Sequence, residues 1–155
     1  MKIRISNRHS KYILKKLPIK RFCKQILEVE LGDSACELDI SVVSNDEIAS
    51  LNEHYLHHEG PTDVISFPQA QTDSGGFNSN QLGDIVVSAD MAYAQSQSYA
   101  TSLNQEFGLY IIHGILHLLG YDDLEESAKK VMVKKQDFWF NKLLKSNECV
   151  FISLK

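Results

Sequence analysis

His113 and His117 stand four residues apart in the run His113-Gly114-Ile115-Leu116-His117. On a helix that spacing places both imidazoles on one face, one turn apart, where they can share an ion. The run continues Leu118-Leu119-Gly120-Tyr121-Asp122-Asp123, so a glycine turn carries a carboxylate back across the same helix end. The pattern His-x-x-x-His-x-x-Gly-x-x-Asp therefore offers two nitrogens and an oxygen, all acceptable zinc donors. Three protein ligands leave a fourth position for water, which is the arrangement of catalytic zinc, whereas structural sites are normally filled. The bland reading is a pair of core histidines, each hydrogen-bonded to a carbonyl. Two histidines at ligand spacing, followed by a glycine turn and acids, favour the metal.

The spacing parallels the metzincin zinc motif, in which the third ligand is histidine. Zinc peptidases of the His-Glu-x-x-His type carry the glutamate that deprotonates water where this chain has Gly114. Peptidase chemistry with a helix-borne base is thus disfavoured.

The elements that must position these groups are legible from periodicity. Leu103 to Leu119 reads as a helix with a wide apolar face, stopped by Gly120. Asp122 and Glu125 suggest a cap before a last helix from about Leu124 to Leu144. Its Phe138-Trp139-Phe140 run reads as core packing rather than a base-stacking platform. Upstream, Lys2 to Ser6 and Cys36 to Val43 alternate as strands, and Pro18 opens a helix ended by Gly32. Ser44 and Glu47 have the spacing of a capping box, which predicts a helix through Tyr55. Asp63 to Phe67 and Leu82 to Val87 are β-like and flank a polar loop, Gln69 to Gln81, while Ser88 can cap a helix through Met91 and Ala94. The order predicts an α+β fold with a small mixed β-sheet packed with helices, forming one domain over residues 1–155.

The 155 residues, 43% of them hydrophobic, suit one core. No apolar run reaches the roughly 18 to 20 residues needed to cross a bilayer, and the basic N-terminus lacks the features of a leader. Cys23, Cys36 and Cys149 form no Cys-x-x-Cys pair, which fits a reducing cytoplasm. The net charge of -4 hides an asymmetry. Residues 1–25 hold nine Lys/Arg and no acid, residues 26–128 hold eighteen acids and no Lys/Arg, and residues 129–155 hold seven lysines. Any phosphate-binding surface must come from the two ends.

The segment from His113 to Asp123 closely resembles the His-Gly-x-Leu-His-Leu-x-Gly-Tyr-Asp-His signature of the YbeY family of bacterial rRNA maturation factors and single-strand endoribonucleases. Pro61-Thr62-Asp63-Val64-Ile65-Ser66-Phe67-Pro68, Leu82-Gly83-Asp84-Ile85-Val86-Val87-Ser88 and Leu51-Asn52 before Tyr55 agree with further blocks of that family, in the same order. Two positions depart from it. Asp123 replaces the third histidine, and Leu56 stands where the family usually has an arginine that could clamp a phosphate.

The resemblance implies a zincin-like metal-binding helix followed by a long C-terminal helix, with one Zn²⁺ per chain held by His113, His117 and Asp123 in a cleft. It implies hydrolytic cleavage of single-stranded RNA in small-subunit rRNA processing and ribosome quality control, with the ribosomal small subunit and its associated proteins as partners. Asp84 is assigned to orienting water or supporting a ligand histidine. Asp63 also lines the cleft in that family, with a turn cap or strand-end pairing as its equal alternative, and Thr62 and Ser66 are weaker candidates that could simply pack. Lys129 and Lys130, with Lys134, Lys135 and the basic N-terminal segment, would guide RNA. His58 is a substrate-binding candidate beside His54 and His57, and His54 and His58 gain ligand spacing if their helix extends so far. A second reading of the same residues is a metal-binding ribosome-assembly or RNA-binding factor with little nuclease activity. A third is a hydrolase of small esters or peptides, since three ligands and a water do not specify a substrate.

Overall fold

A computed structural model describes residues 1–32, 35–69 and 81–155. Most of the polar loop read between Gln69 and Gln81 lies outside these residues. The elements run β1 (Lys2–Asn7), β2 (Tyr12–Leu14), α1 (Lys16–Leu31), β3 (Glu37–Val43), α2 (Asn45–Leu56), β4 (Val64–Pro68), β5 (Gln81–Ser88), α3 (Ala89–Tyr99), α4 (Leu103–Leu118), α5 (Glu126–Lys145) and β6 (Ile152–Leu154). The architecture is α+β.

The main sheet has the order β1-β3-β5-β4. β1, β3 and β5 are parallel, and β4 runs antiparallel to β5 as an edge strand. Register aligns Ile5, Ile40 and Ile85 on one face and Arg4, Asp39 and Asp84 on the other. This alternation is the period-2 consequence of the pleat. The apolar face buries Ile3, Ile5, Leu38, Ile40, Ile85 and Val87 against α1 and α4. Burying side chains such as Ile111 and Ile115 of α4 completely stabilises the fold by about 1.5–3 kcal/mol each. A smaller cluster, Val43, Ile48, Ile65 and Val86, lies on the opposite face with Leu51 of α2 packed against it. A two-stranded antiparallel sheet of β2 and β6, which periodicity did not reveal, ties the C-terminal strand to the start of the chain.

Caps locate several helix starts. The Ser44 hydroxyl accepts from the Glu47 backbone N–H, but the Glu47 carboxylate pairs with Arg8 at 2.8 Å, so the sequence motif yields half of a capping box. A reciprocal box forms instead at Ser102 and Gln105, opening α4. α1 begins at Lys16, which leaves Pro18 in the first turn, where its missing N–H is not needed. α5 starts at Glu126 without a side-chain cap, and Asp122 Oδ1 accepts from the Leu124 backbone N–H instead.

Candidate metal centre

α4 is buried almost all round, with Phe107, Ile111, Ile112, Ile115 and Leu116 fully enclosed. Its position is fixed by an unusually close approach to the sheet at Gly114. A Cβ added there would lie 2.9 Å from Ile85 Cγ2, closer than carbon atoms normally come. Position 114 therefore faces β5 and could not host the glutamate of a zinc peptidase in this packing. Ser66 of β4 reinforces the contact, its hydroxyl donating to the Gly114 carbonyl at 3.0 Å.

The same packing turns His113 and His117 toward the β4 edge. They lie at a cleft of about 320 Å³ lined also by Leu56, Val64, Ile65, Ser66 and Pro68. Their Nε2 atoms are 2.9 Å apart and their rings are 73° from parallel. His113 Nδ1 is 2.9 Å from Gln136 Oε1 on α5. An amide oxygen only accepts, so Nδ1 carries the hydrogen and Nε2 presents its lone pair to His117. Burial pushes the His117 imidazole below its ordinary value, the neighbouring His113 acts in the same direction, and Asp123, Asp122 and a hydrogen bond to the Tyr121 backbone oppose both. The His113 lone pair thus meets a second imidazole nitrogen, and the gap is bridged by a hydrogen on His117 or by a metal ion. With Zn–N bonds of about 2.0–2.1 Å, two nitrogens spanning a tetrahedral angle sit roughly 3.3 Å apart, so the pair fits one ion after opening by a few tenths of an ångström.

Beyond α4, Gly120 adopts φ +97°, a conformation that side chains resist, and reverses the chain. The loop that follows is pinned by Tyr121, whose hydroxyl donates to Glu30 Oε2 at 3.0 Å. Glu30 of α1 is nearly buried and also receives Lys135 Nζ at 3.0 Å and the indole N–H of Trp139 at 3.4 Å. Asp123 is exposed on this loop. Its charge reaches His117, but among the described residues no three His, Cys, Asp or Glu side chains stand together at metal-holding distance.

The remaining sequence candidates separate. Ile85 meets α4, so Asp84 projects from the opposite face of the sheet, beside Asp39 and away from the histidine pair. Partial burial raises the Asp84 carboxyl above its ordinary value, Asp39 adds to this, and Arg4 offsets it. Asp63 caps the start of β4, its Oδ1 accepting from the Val64 N–H at 2.7 Å and the Thr62 hydroxyl at 3.3 Å. α2 ends at Leu56 and His57 turns left-handed, so His54 and His58 do not share a helical face. His58 is exposed, its backbone N–H donating to Asn52 O at 3.2 Å. Buried Asn52 holds the next loop through Gly60 O at 3.0 Å. Lys129 and Lys130 are exposed near the start of α5, bordering a hollow with Asp123, Glu125 and Glu126. Gln136 and Glu30 were missed by sequence reasoning, since nothing in their local spacing marks partners so far along the chain.

The family model for endoribonuclease YbeY matches residues 4–144. The chain belongs to the endoribonuclease YbeY family. Endoribonuclease YbeY of Oceanobacillus iheyensis is 42% identical over 125 residues, covering 77% of this chain and 81% of the relative. Endoribonuclease YbeY of a Sulfurihydrogenibium species is 37% identical over 138 residues, covering 86% and 90%. The solution structure of TM1509 from Thermotoga maritima superposes with a TM-score of 0.61 at 28% identity, covering 90% of this chain and 87% of that one. Family membership thus spans all the elements that carry the histidine pair, from β1 to α5.

Proposed function

We propose that this YbeY family chain is a metal-dependent endoribonuclease acting on single-stranded segments of ribosomal RNA during small-subunit maturation, in the cytoplasm and as a single domain. The observation that carries the reading is the facing Nε2 pair of His113 and His117 in an open cleft, within an endoribonuclease family fold. His113 and His117 would hold one Zn²⁺, with Asp123 supplying the third donor from its loop. Asp122 already accepts from the Leu124 N–H, which leaves Asp123 the freer carboxylate. Bound there, the ion would supply Lewis-acid polarisation of a phosphate and a water of lowered pKa. Gln136 would hold the His113 tautomer, and Leu56, Val64 and Ile65 line the open cleft with apolar surface. Asp84, on the sheet face opposite Ile85, is left out of the proposed ion-holding set.

The test is elemental mass spectrometry on gently purified protein, paired with cleavage of a labelled single-stranded RNA. About one zinc per chain, with metal and cleavage both lost in folded His117→Ala, supports the reading. Loss in Asp123→Ala but not in Asp122→Ala supports the third donor. A metal-replete protein that leaves single-stranded RNA intact refutes the activity.

A further inference from the structure

The aromatic run of α5 is split by the fold. Trp139 is 2% exposed and packs edge-on against Phe22, whereas Phe138 is 49% exposed with Lys142 Nζ 5.4 Å from its ring centroid. Lys130, Lys134, Phe138 and Lys142 recur at every fourth residue, about 6 Å apart along one side of the helix, away from the buried Met132, Trp139 and Leu143. Three hollows follow this side in succession. The first borders Asp123, Glu125 and Glu126 with Lys130 and Lys134; the second shares Lys134 and adds Val131, Phe138 and the paired Glu30 and Lys135; the third shares Phe138 and adds Asn141, Lys142 and Lys145. They form a track from the loop beside His117 to the end of α5. Among the described residues, Lys130, Lys134, Lys142 and Lys145 have no carboxylate within ion-pair distance, while Lys135 is committed to Glu30.

We propose that this outer face of α5 is a single-stranded RNA track, on which Phe138 stacks a nucleobase and Lys134, Lys142 and Lys145 meet the flanking phosphates. An exposed aromatic between unpaired cations at regular spacing suits a polyanion with flat bases, because every base has a π-face and every linkage a charge. An acidic helix would meet the charges but leaves the ring's preference for a flat partner unused. The proposal rests on the reading of the chain as an RNA-cleaving enzyme and locates where the substrate is held outside the cleft.

The experiment is fluorescence anisotropy of a labelled single-stranded 12-nucleotide RNA, with chelator present so that nothing is cut. Phe138→Ala and Phe138→Leu weaken binding roughly tenfold, the loss of one stacked base, and Phe138→Trp restores it. Lys134→Gln with Lys142→Gln reduces the slope of log affinity against log salt by about 1.4, near 0.7 for each lost phosphate contact on a single strand. If the unaltered protein binds RNA here and cuts it once metal is restored, but these variants match it in affinity and slope, the track is wrong and the proposed function stands. If Phe138→Leu binds as well as the unaltered chain, stacking is refuted. If the unaltered protein binds no RNA yet takes up an acidic amphipathic peptide, both the track and the RNA-cleaving reading fall.

Discussion

Replacing Gln136 by leucine removes the acceptor 2.9 Å from His113 Nδ1, while keeping similar bulk on α5. Without the amide oxygen, Nδ1 no longer has its acceptor, and the ring is free to carry its hydrogen on Nε2, the atom that would donate to a metal ion in the proposed site. Partners of this kind commonly contribute 10- to 100-fold in metal affinity, so Gln136→Leu should weaken zinc binding by about 1.4–2.7 kcal/mol. Gln136→Glu should act in the opposite direction, because a carboxylate accepting from Nδ1 makes the far nitrogen a stronger donor. The stability of the metal-free protein changes by only about 1 kcal/mol in either variant, the worth of one partly exposed hydrogen bond. Competition against a chromogenic chelator gives the affinities, and urea unfolding in chelator gives the stability. Zinc affinity in Gln136→Leu equal to that of the unaltered chain would show that His113 is oriented by α4 alone and would refute the argument.

Gly114→Ala forces a Cβ to within 2.9 Å of Ile85 Cγ2, and should cost about 1–3 kcal/mol in urea unfolding, the range of an overpacked core. Glu30→Ala removes the acceptor shared by Tyr121, Lys135 and Trp139; with two neutral donors and one cation left unpaired it should cost about 2–3 kcal/mol, read from the same unfolding curves. Asp39 is held below its ordinary pKa of 3.8, chiefly by hydrogen bonding to Arg4 and also by Gln81, against partial burial. A lowered carboxylate pKa stabilises the fold above that ordinary value and loses its contribution as pH falls through it, so Asp39→Asn should flatten the loss of stability below about pH 4. Urea midpoints at pH 6 and pH 3 for both proteins check this.

What was legible in the sequence follows from which forces are local. The strand pattern of β1, β3, β4 and β5, the span of α4 and the stop at Gly120 depend on period and on backbone freedom, and all appear where expected. The pairing of His113 with His117 is local too, being one helical turn. β2 and β6 have only three residues each and were missed, because their stability comes from pairing across almost the whole chain. Asp84 was placed near the metal on the strength of its sequence block, but its side is decided by whether Ile85 or Asp84 faces α4, and the apolar neighbour takes that side. Of the Phe138-Trp139-Phe140 run expected in the core, Trp139 is buried and Phe140 packs against the core while Phe138 is exposed, since adjacent helical residues lie about 100° apart.

Charge placement leads to a last consequence. No Lys or Arg occurs between residues 26 and 128, and the cleft wall at position 56 is leucine. An ion held by His113 and His117 would therefore be the main positive charge inside the cleft, whereas the cations able to hold RNA lie outside it, on α5 and near the N-terminus. Catalysis and retention are then carried by different parts of the molecule. Stripping the metal should abolish cleavage while lowering affinity for single-stranded RNA by no more than about tenfold, because one phosphate contact is lost among several. Anisotropy with and without chelator, beside a cleavage assay on the same RNA, separates the two effects. An affinity that collapses by more than about a hundredfold on metal removal would place the dominant RNA contact in the cleft and leave the basic termini with little part in binding.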